Sequence, residues 1–383
     1  MTNKKQIQTI PPPEKVLLAA IEYKNKPQKW PVSESLSELA ELTKSVGAEP
    51  LMTVTQKLNK PSSSYLGKGK IIEIKNEISK KKIKTVIIDD ELNPSQQKTL
   101  EDKLKVKVID RTALILDVFA KRAKSREGKL QVNLAQNEYL LPRLAGQWSH
   151  LERLGGGIGT RGPGETQIET DRRLVRSKLS RIKNEIKKVQ SQRRQQRALR
   201  KSNNDNSIAL VGYTNAGKSA IFNMLTLEKV IEKNQLFSTL DTTTRKINLN
   251  SKDNITISDT VGFVNKLPPV LVTAFRTTLE DASEATLLLH IVDISSNYAY
   301  ERYQIVNQTL EELNIDKTPR ILVLNKVDLL KEKYETINFW IDTIQGSTFE
   351  EKTLVVPTSA ITGYGFNKLK KTIMRKIKSG SDY

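Results

Sequence analysis

The loop Gly212-Tyr-Thr-Asn-Ala-Gly-Lys-Ser219 constrains the fold of this chain most, because it follows an apolar stretch and precedes an apolar helical pattern. Residues 207–211 (Ser-Ile-Ala-Leu-Val) predict a buried strand, and the helix is predicted to continue through Leu225. Such a loop in a strand–loop–helix setting is typical of a phosphate-binding P-loop. Its glycines let backbone N–H groups point at phosphate oxygens, and the helix N-terminus adds a favourable dipole. We therefore predict that Lys218 contacts the β- and γ-phosphates of a nucleotide and that Ser219 binds Mg²⁺.

Three further motifs follow in the order in which GTPases carry them, each after a predicted strand. They are Asp259-Thr-Val-Gly262, Asn325-Lys-Val-Asp328 and Thr358-Ser-Ala360. The carboxylate of Asp259 is suited to hold Mg²⁺, and the Gly262 N–H is expected to contact the γ-phosphate. The Asp328 carboxylate can accept two hydrogen bonds from guanine, a donor pair that adenine lacks, so this motif favours GTP over ATP. The last motif suits a loop that contacts the base.

A threonine-rich segment, 237–245 (Phe-Ser-Thr-Leu-Asp-Thr-Thr-Thr-Arg), lies between the P-loop and the second motif. Its position predicts a switch loop, in which one threonine completes the Mg²⁺ shell when the γ-phosphate is present. The residues alone leave three candidates for that threonine, which are Thr239, Thr243 and Thr244.

Two side chains bear on the rate of hydrolysis. Phe263 stands directly after the Asp-x-x-Gly motif, where many GTPases have a glutamine that orients the attacking water. Phenylalanine cannot hydrogen-bond water, so we predict slow intrinsic hydrolysis that depends on a partner or on repositioning. Asn215, inside the P-loop, leads to the hypothesis that its amide oxygen helps to hold a monovalent cation, K⁺, beside the phosphates.

Basic residues concentrate in one segment. The chain carries 63 Lys and Arg against 43 Asp and Glu, a net charge of +20, and residues 172–201 hold thirteen of the basic residues and one acid, Glu185. With a single acid, we expect no i,i+4 pairs of opposite charge to stabilise an exposed face. We therefore predict binding to the phosphate backbone of folded RNA, in preference to a merely solvated face or an anionic membrane surface.

The same region has helical periodicity. Its narrow apolar stripe predicts a helix that packs on a second helix, predicted at 125–141. The residues of the stripe are Ile168, Val175, Leu179, Ile182, Ile186 and Val189.

Six glycines lie within residues 155–164, between the two predicted helices. A flexible linker is the simpler interpretation, since so many glycines disfavour a helix or a strand. A glycine-rich loop at the tip of a basic hairpin can also bring its backbone close to a partner, and we predict a functional loop that orders on binding. The residues expected to contact RNA are Gly155, Gly156, Gly157, Arg161, Arg172, Arg173 and Arg176.

Composition excludes several kinds of site. The chain has no cysteine, which excludes disulfides, a thiolate nucleophile and a cysteine-rich zinc site. Its two histidines, His150 and His290, exclude a multi-histidine metal site, and we expect both to be structural. No apolar run approaches the roughly 20 residues of a membrane helix, and residues 1–13 lack an apolar signal-peptide core. We therefore expect a cytoplasmic protein without a membrane span.

With these residues in view, the chain resembles the HflX family of ribosome-associated GTPases over nearly its whole length. The most specific segment is 154–173 (Leu-Gly-Gly-Gly-Ile-Gly-Thr-Arg-Gly-Pro-Gly-Glu-Thr-Gln-Ile-Glu-Thr-Asp-Arg-Arg), which is similar to the family signature nearly letter for letter. Residues 65–70, 108–112, 130–136 and 139–144 also resemble family segments. In the family pattern, Thr239 is the switch threonine near Mg²⁺.

The resemblance implies a multidomain α/β protein with three parts. Residues 1–109 would form an N-terminal α/β domain, and residues 110–204 a helical hairpin, or coiled-coil subdomain, with the glycine-rich loop. Residues 205–383 would form a P-loop GTPase domain, with a mostly parallel sheet and helices on both faces.

The resemblance also implies a function. It implies binding to the large ribosomal subunit and its RNA, and GTP-linked dissociation or rescue of stalled ribosomes by a monomer. A GTPase of subunit assembly or RNA modification, or a nucleotide-gated RNA-binding module, are the alternatives.

The motifs and the resemblance together predict one nucleotide site. Lys218, Thr239 and Gly262 are the predicted catalytic residues, and Ser219, Thr239 and Asp259 are the predicted Mg²⁺ ligands. The residues predicted to bind GTP are Gly212, Tyr213, Thr214, Asn215, Ala216, Gly217, Lys218, Ser219, Phe237, Ser238, Thr239, Leu240, Asp241, Asp259, Thr260, Val261, Gly262, Asn325, Lys326, Val327, Asp328, Thr358, Ser359 and Ala360.

Overall fold

The structure is a computed structural model, which describes residues 12–24, 30–144, 167–202, 206–226, 236–237, 239–247, 255–271, 282–347 and 354–379. The chain divides into two compact units, 1–117 and 118–383, and the division falls inside helix α4 (Arg111–Arg122). The domain boundaries expected at 109/110 and 204/205 remain predictions.

The first unit contains a four-stranded parallel sheet in the order β2-β1-β3-β4. Its central strand β1 is buried from Val16 to Ile21, as expected for a parallel strand that is covered on both faces. The elements of the unit are β1 (Lys15–Tyr23), α1 (Val32–Ser45), β2 (Glu49–Leu58), α2 (Lys68–Lys81), β3 (Thr85–Ile88), α3 (Pro94–Leu104) and β4 (Lys107–Asp110).

A buried charge network lies at the carboxyl end of this sheet. The fully buried guanidinium of Arg111 donates to Asp89, with 2.8 Å between Nη1 and Oδ1, and also to Glu38. The other Asp89 oxygen accepts a hydrogen bond from the Ser35 hydroxyl at 2.7 Å. Both oxygens of Asp89 are therefore paired within the unit, which buried charges require.

The second unit begins with a pair of helices, α5 (Arg126–Leu140) and α6 (Gln167–Ser202). A short 3₁₀ helix, Leu141–Arg143, extends α5. The apolar stripe predicted from the sequence is the packing surface, since Leu179, Ile182 and Ile186 of α6 form one buried cluster with Leu134 of α5.

One expectation about α6 is wrong in detail. We expected no i,i+4 pair of opposite charge, but Glu185 pairs with Arg181, with 3.5 Å between Nε and Oε1. Lys183 also pairs with Glu138 of α5, at 2.8 Å. Both pairs are partly exposed and contribute little stability, so they leave the large excess of positive charge on α6 in place.

A six-stranded sheet in the order β10-β9-β8-β5-β7-β6 forms the rest of the second unit, and only its edge strand β6 is antiparallel. The strands are β5 (Asn206–Gly212), β6 (Thr243–Ile247), β7 (Ile255–Asp259), β8 (Leu287–Asp293), β9 (Arg320–Asn325) and β10 (Leu354–Pro357). The helices that accompany this sheet include α7 (Lys218–Thr226), α8 (Ala299–Glu312), α9 (Lys333–Ser347), α10 (Phe366–Ser379) and the 3₁₀ turn Val327–Leu329.

The strand order places a crevice at the carboxyl end of β5. The chain leaves β5 with β7 on one side of it and β8 on the other, and open α/β sheets bind ligands at such a switch point. Two apolar clusters cover the sheet, one centred on Phe222, Ile291 and Leu369 and the other on Leu322 and Trp340.

Candidate nucleotide-binding site

The P-loop occupies this crevice. It joins the last residue of β5, Gly212, to the first residue of α7, Lys218. Gly217 has a φ of +94°, and a Cβ at this position would lie 2.3 Å from Nδ2 of Asn325. Only glycine fits both the backbone conformation and the close approach.

Lys218 is buried inside this loop. Its Nζ donates to the carbonyl oxygens of Gly212 and Tyr213, at 3.1 and 3.0 Å. Burial disfavours the ammonium form and lowers the pKa of Lys218 to about 8, although the nearby Asp259 carboxylate opposes this shift. A Cβ added to Gly262 would lie 2.9 Å from the same Nζ, so this glycine and the lysine line one space.

Three side-chain oxygens meet beside Lys218. Oδ2 of Asp259 accepts hydrogen bonds from the hydroxyls of Ser219 and Thr239, each at 2.8 Å, and the two hydroxyl oxygens lie 3.0 Å apart. We call Ser219, Thr239 and Asp259 the oxygen cluster. Burial raises the pKa of the Asp259 carboxyl, and Lys218 and the two hydroxyls lower it in part.

The oxygen cluster suits a hard divalent cation. Oδ1 of Asp259 is buried and has no hydrogen-bond partner in the described part of the chain. Carboxylate and hydroxyl oxygens are the donors that Mg²⁺ prefers. Of the three threonines left open by the sequence, Thr239 is the one that hydrogen-bonds Asp259, whereas Thr244 bonds the Ser258 hydroxyl at 2.9 Å and Thr243 lies in β6.

The segment after Asp259 is bound to the P-loop through its backbone. The Phe263 N–H donates to Gly212 O at 3.1 Å, and the Thr214 N–H donates to Phe263 O at 2.7 Å. The Tyr213 hydroxyl accepts a hydrogen bond from the Asn265 N–H at 2.8 Å. The Phe263 ring is buried by this clamp, which the motif spacing did not reveal because the partners are about fifty residues apart in the chain.

Asn325 connects three loops. Its Nδ2 donates to Ala216 O of the P-loop at 2.9 Å, and its Oδ1 accepts from the Ala360 N–H at 3.3 Å. The Val327 N–H donates to Thr358 O at 3.3 Å. The structure therefore brings the Asn-Lys-Val-Asp and Thr-Ser-Ala motifs together, with Thr358 and Ser359 buried.

Two residues of the Asn-Lys-Val-Asp motif carry charge. Lys326 is in the left-handed region, with φ +67°, and its Nζ pairs with Asp293 at 2.7 Å. The Asp328 side chain is half-buried and makes no hydrogen bond or ion pair within the described residues. It is the acceptor that the guanine hypothesis requires.

Two residues of the predicted switch loop contact the helices of the same unit. The Asp241 carboxylate accepts hydrogen bonds from the backbone N–H groups of Lys124 and Ser125, both at 2.8 Å, and from the Ser125 hydroxyl. The Phe237 ring packs edge-on against Phe119, with 4.6 Å between the ring centroids. Sequence reasoning assigned both residues to the nucleotide alone and missed these contacts; Ser125 carries a helix-capping signal, but its partner is 116 residues away.

The predicted RNA contacts are described only in part. Arg173 and Arg176 are exposed on α6, and Arg172 is half-buried. Gly155, Gly156, Gly157 and Arg161 lie outside the described residues, as do Ser238 and His150. Among the described helices, none combines the length and apolar character needed to cross a membrane.

His290 lies in β8 under the P-loop. Its ring stacks on Tyr303, with 5.1 Å between the centroids, and neither ring nitrogen has a hydrogen-bond partner within the described chain. Burial, aided by Arg320 and Lys218, lowers the pKa of His290 to about 3, so the imidazole is neutral. Its apolar, stacked setting is in keeping with a structural role.

The P-loop between parallel strands, the oxygen cluster and the linked Asn-Lys-Val-Asp loop define a P-loop GTPase domain.

Three family models match successive parts of the chain, and their descriptions are GTP-binding GTPase N-terminal (33–120), GTP-binding GTPase Middle Region (122–200) and 50S ribosome-binding GTPase (207–326). The chain is 40% identical to the GTPase HflX of Flavobacterium psychrophilum over 380 residues, which covers 95% of this chain and 91% of that protein. It is 49% identical to the GTPase HflX of Caldanaerobacter subterraneus subsp. tengcongensis (78% and 70% covered) and 42% identical to that of Escherichia coli K12 (90% and 79% covered).

The chain therefore belongs to the HflX family of GTPases. The predicted family, the multidomain α/β fold with its P-loop GTPase domain, and GTP hydrolysis as the activity are confirmed. A crystal structure of SsGBP in complex with GDP has a similar fold, with a TM-score of 0.52 and 24% identity over 96% of this chain and 99% of that chain.

Proposed function

We propose that this protein binds the large ribosomal subunit through its RNA and couples GTP binding and hydrolysis to the dissociation or rescue of stalled ribosomes. The observation that carries the proposal is that one compact unit, 118–383, contains both the buried P-loop site and the basic helix α6. The family model that matches 207–326 is described as a 50S ribosome-binding GTPase, which supports the choice of partner.

In the proposed nucleotide complex, Lys218 exchanges its two carbonyl partners for oxygens of the β- and γ-phosphates. The backbone N–H groups of the P-loop and of Gly262 donate to the same phosphates. Asp328 accepts hydrogen bonds from guanine, while Asn325 holds the P-loop and the 358–360 loop around the base.

We assign the oxygen cluster to Mg²⁺, which supplies positive charge against the phosphate oxygens when it is bound. Thr239→Ala removes one of the three oxygens, and we expect it to raise the Mg²⁺ concentration at half-maximal hydrolysis on the order of tenfold. Thr244→Ala is the matched control, because the Thr244 hydroxyl bonds Ser258 and not the oxygen cluster. An equal Mg²⁺ requirement for both variants would contradict the assignment.

Two features set the expected hydrolysis rate. Phe263 offers no hydrogen bond to water, so intrinsic turnover is slow and rises when a ribosome repositions the loop. Asn215 is exposed in the P-loop with φ +60° and is the proposed ligand of K⁺. GTPase rates that are the same in potassium and in sodium would exclude that ligand.

Sedimentation of intact ribosomes tests the ribosomal part of the proposal. We expect the protein to convert ribosomes to subunits with GTP or a non-hydrolysable analogue and to leave them intact with GDP. Unchanged ribosomes under all three nucleotides would rule out dissociation.

Lys218→Ala separates the proposal from its rivals. If dissociation is lost while RNA binding persists, the nucleotide cycle drives the reaction. If dissociation and RNA binding both persist, the protein is an RNA-binding module whose hydrolysis is incidental.

A further inference from the structure

The switch-loop residues Phe237, Thr239 and Asp241 have contacts of two kinds. Thr239 belongs to the oxygen cluster, whereas Asp241 contacts the N-terminus of α5 and Phe237 contacts Phe119 of α4. Thr239 and Asp241 are only two residues apart, which is about 7 Å of extended chain. A displacement of Thr239 by more than this reach therefore also moves Asp241.

The Asp241 contact is an anchored one. Its carboxylate accepts two backbone N–H groups, from Lys124 and Ser125, and the Ser125 hydroxyl. Ser125 is the N-cap of α5, and its Oγ in turn accepts the Gly128 N–H at 2.9 Å. The positive end of the α5 dipole also attracts the carboxylate, so Asp241 extends the cap of this helix from a distant loop.

Gly128 makes room for this contact. A Cβ at position 128 would lie 2.2 Å from Oδ1 of Asp241, closer than any real Cβ contact. Glycine is otherwise unfavourable inside a helix. Position 128, in the first turn of α5, is thus occupied by the residue type that leaves room for the Asp241 carboxylate.

Helix α5 transmits the contact further. Leu134 packs in one cluster with Leu179, Ile182 and Ile186 of the basic helix α6. The chain of contacts therefore runs from the oxygen cluster through Thr239 and Asp241 to α5 and then to α6.

We propose that Asp241 is a positioning residue that latches the switch loop to the N-terminus of α5, so that the nucleotide state and the state of the α5–α6 pair are coupled. With the γ-phosphate in place the latch is closed, and after hydrolysis the switch loop withdraws and releases α5. Because coupling is reciprocal, a partner that binds α6 changes the affinity for GTP by the same factor. This last consequence rests on the proposed function, whereas the latch itself does not.

Hydrogen exchange of the intact protein tests the latch. We expect the amides at 124–128 to exchange at least about fivefold more slowly with a non-hydrolysable GTP analogue than with GDP. In Gly128→Ala, which favours helix but expels the carboxylate, and in Asp241→Ala, which removes both acceptor oxygens, the two rates should agree within about twofold. Gly69→Ala is the matched control, because Gly69 lies in the first turn of α2 with nothing near its Cβ position, and it should behave as the wild type.

Two outcomes would overturn the latch: equal exchange at 124–128 in the two nucleotide states of the wild type, or a nucleotide-dependent difference that survives Gly128→Ala.

A second experiment, binding to isolated large subunits, distinguishes a failure of the latch from a failure of the proposed function. We expect the ratio of affinities with GTP analogue and with GDP to exceed about fivefold in the wild type and to approach one in Gly128→Ala. If the protein binds large subunits in no nucleotide state but its exchange at 124–128 still depends on the nucleotide, the proposed function is contradicted and the latch is not.

Discussion

The parallel sheet of the first unit and the mostly parallel sheet of the second both place an aspartate at the carboxyl end of a strand, but the charge of that aspartate is satisfied differently. In the first unit, Asp89 after β3 is paired on one oxygen by Arg111 and on the other by Ser35. In the second unit, Asp259 at the end of β7 has two hydroxyl donors on Oδ2, and its Oδ1 has no partner among the described residues. Asp89, which is ion-paired with Arg111, is structural, whereas Asp259, which has Lys218 nearby but a buried oxygen without a hydrogen-bond partner among the described residues, is suited to an external cation.

His290 shows that a buried polar atom without a partner does not by itself indicate a ligand. Its two ring nitrogens are also buried without partners among the described residues, but the adjoining cavity, lined by Tyr213 and Val306, has a volume of about 10 Å³. That space admits about one water molecule and no nucleotide. An unpaired polar atom therefore indicates a ligand only where the space and the neighbouring groups fit one.

The largest expected effect comes from substitution of the two aspartates that were compared. Asp89→Asn leaves the buried guanidinium of Arg111 with a weakened partner, and we expect it to lower the free energy of unfolding of the first unit by about 3–5 kcal/mol. Asp259→Asn should change the stability of the nucleotide-free second unit far less, because no cation of the described chain pairs with its Oδ1. Hydrogen-exchange mass spectrometry measures each unit separately. Equal losses would mean that the two aspartates have the same role.

The second prediction concerns the charge beside Asp259. Lys218→Ala should lower the rate of GTP hydrolysis by at least about 100-fold, since the ammonium stabilises charge on the phosphates. It should not destabilise the nucleotide-free protein, because it removes a buried ammonium whose pKa is already lowered. Phosphate release and thermal unfolding are the measurements, with Lys371→Ala on the exposed face of α10 as the control. Near wild-type turnover would remove Lys218 from the mechanism.

The third prediction extends the comparison to α6, for which we propose RNA as the external partner. Reversal of Arg172, Arg173 and Arg176 to Glu should weaken binding to ribosomal RNA. It should also reduce the salt dependence, by about one unit of log–log slope for each phosphate that the variant no longer neutralises. GTP hydrolysis without ribosomes should stay at the wild-type rate.

A control of equal charge is available on α10. Reversal of Lys371, Arg375 and Lys378, which are all exposed, changes the net charge by the same amount. If both triple variants weaken RNA binding equally, the effect belongs to the overall charge and not to α6.

The smallest effect concerns His290. Its pKa is lowered in the folded state, so its contribution to stability is complete above the unfolded pKa of about 6.5 and is lost as the pH falls below that value. At pH 5 the loss is about 2 kcal/mol. His290→Phe keeps a ring against Tyr303, and unfolding at about pH 5 and pH 7.5 should show a smaller difference than in the wild type. An identical pH dependence would mean that His290 does not titrate on unfolding.

Much of the nucleotide site could be predicted from the sequence, because its motifs are local. The P-loop needs only a strand, glycines and a helix in succession, and each later motif follows its own strand. The three candidate threonines could not be separated in this way, since Thr239, Thr243 and Thr244 lie in one polar segment. The pairing of β6 with β7 directs Thr244 to Ser258 and places Thr243 opposite Asp259 in the strand ladder, but the hydroxyl that hydrogen-bonds the Asp259 carboxylate is that of Thr239, which lies outside β6.

By itself, the sequence determined the order of the strands and motifs along the chain, the apolar stripe of α6 and the concentration of positive charge on that helix. The tertiary structure decided which charges are satisfied. The contact of Asp241 with Ser125 and that of Arg111 with Glu38 join residues 116 and 73 positions apart. Helix and strand periodicity records which face of an element is buried, but it carries no information on which distant side chain will meet it there.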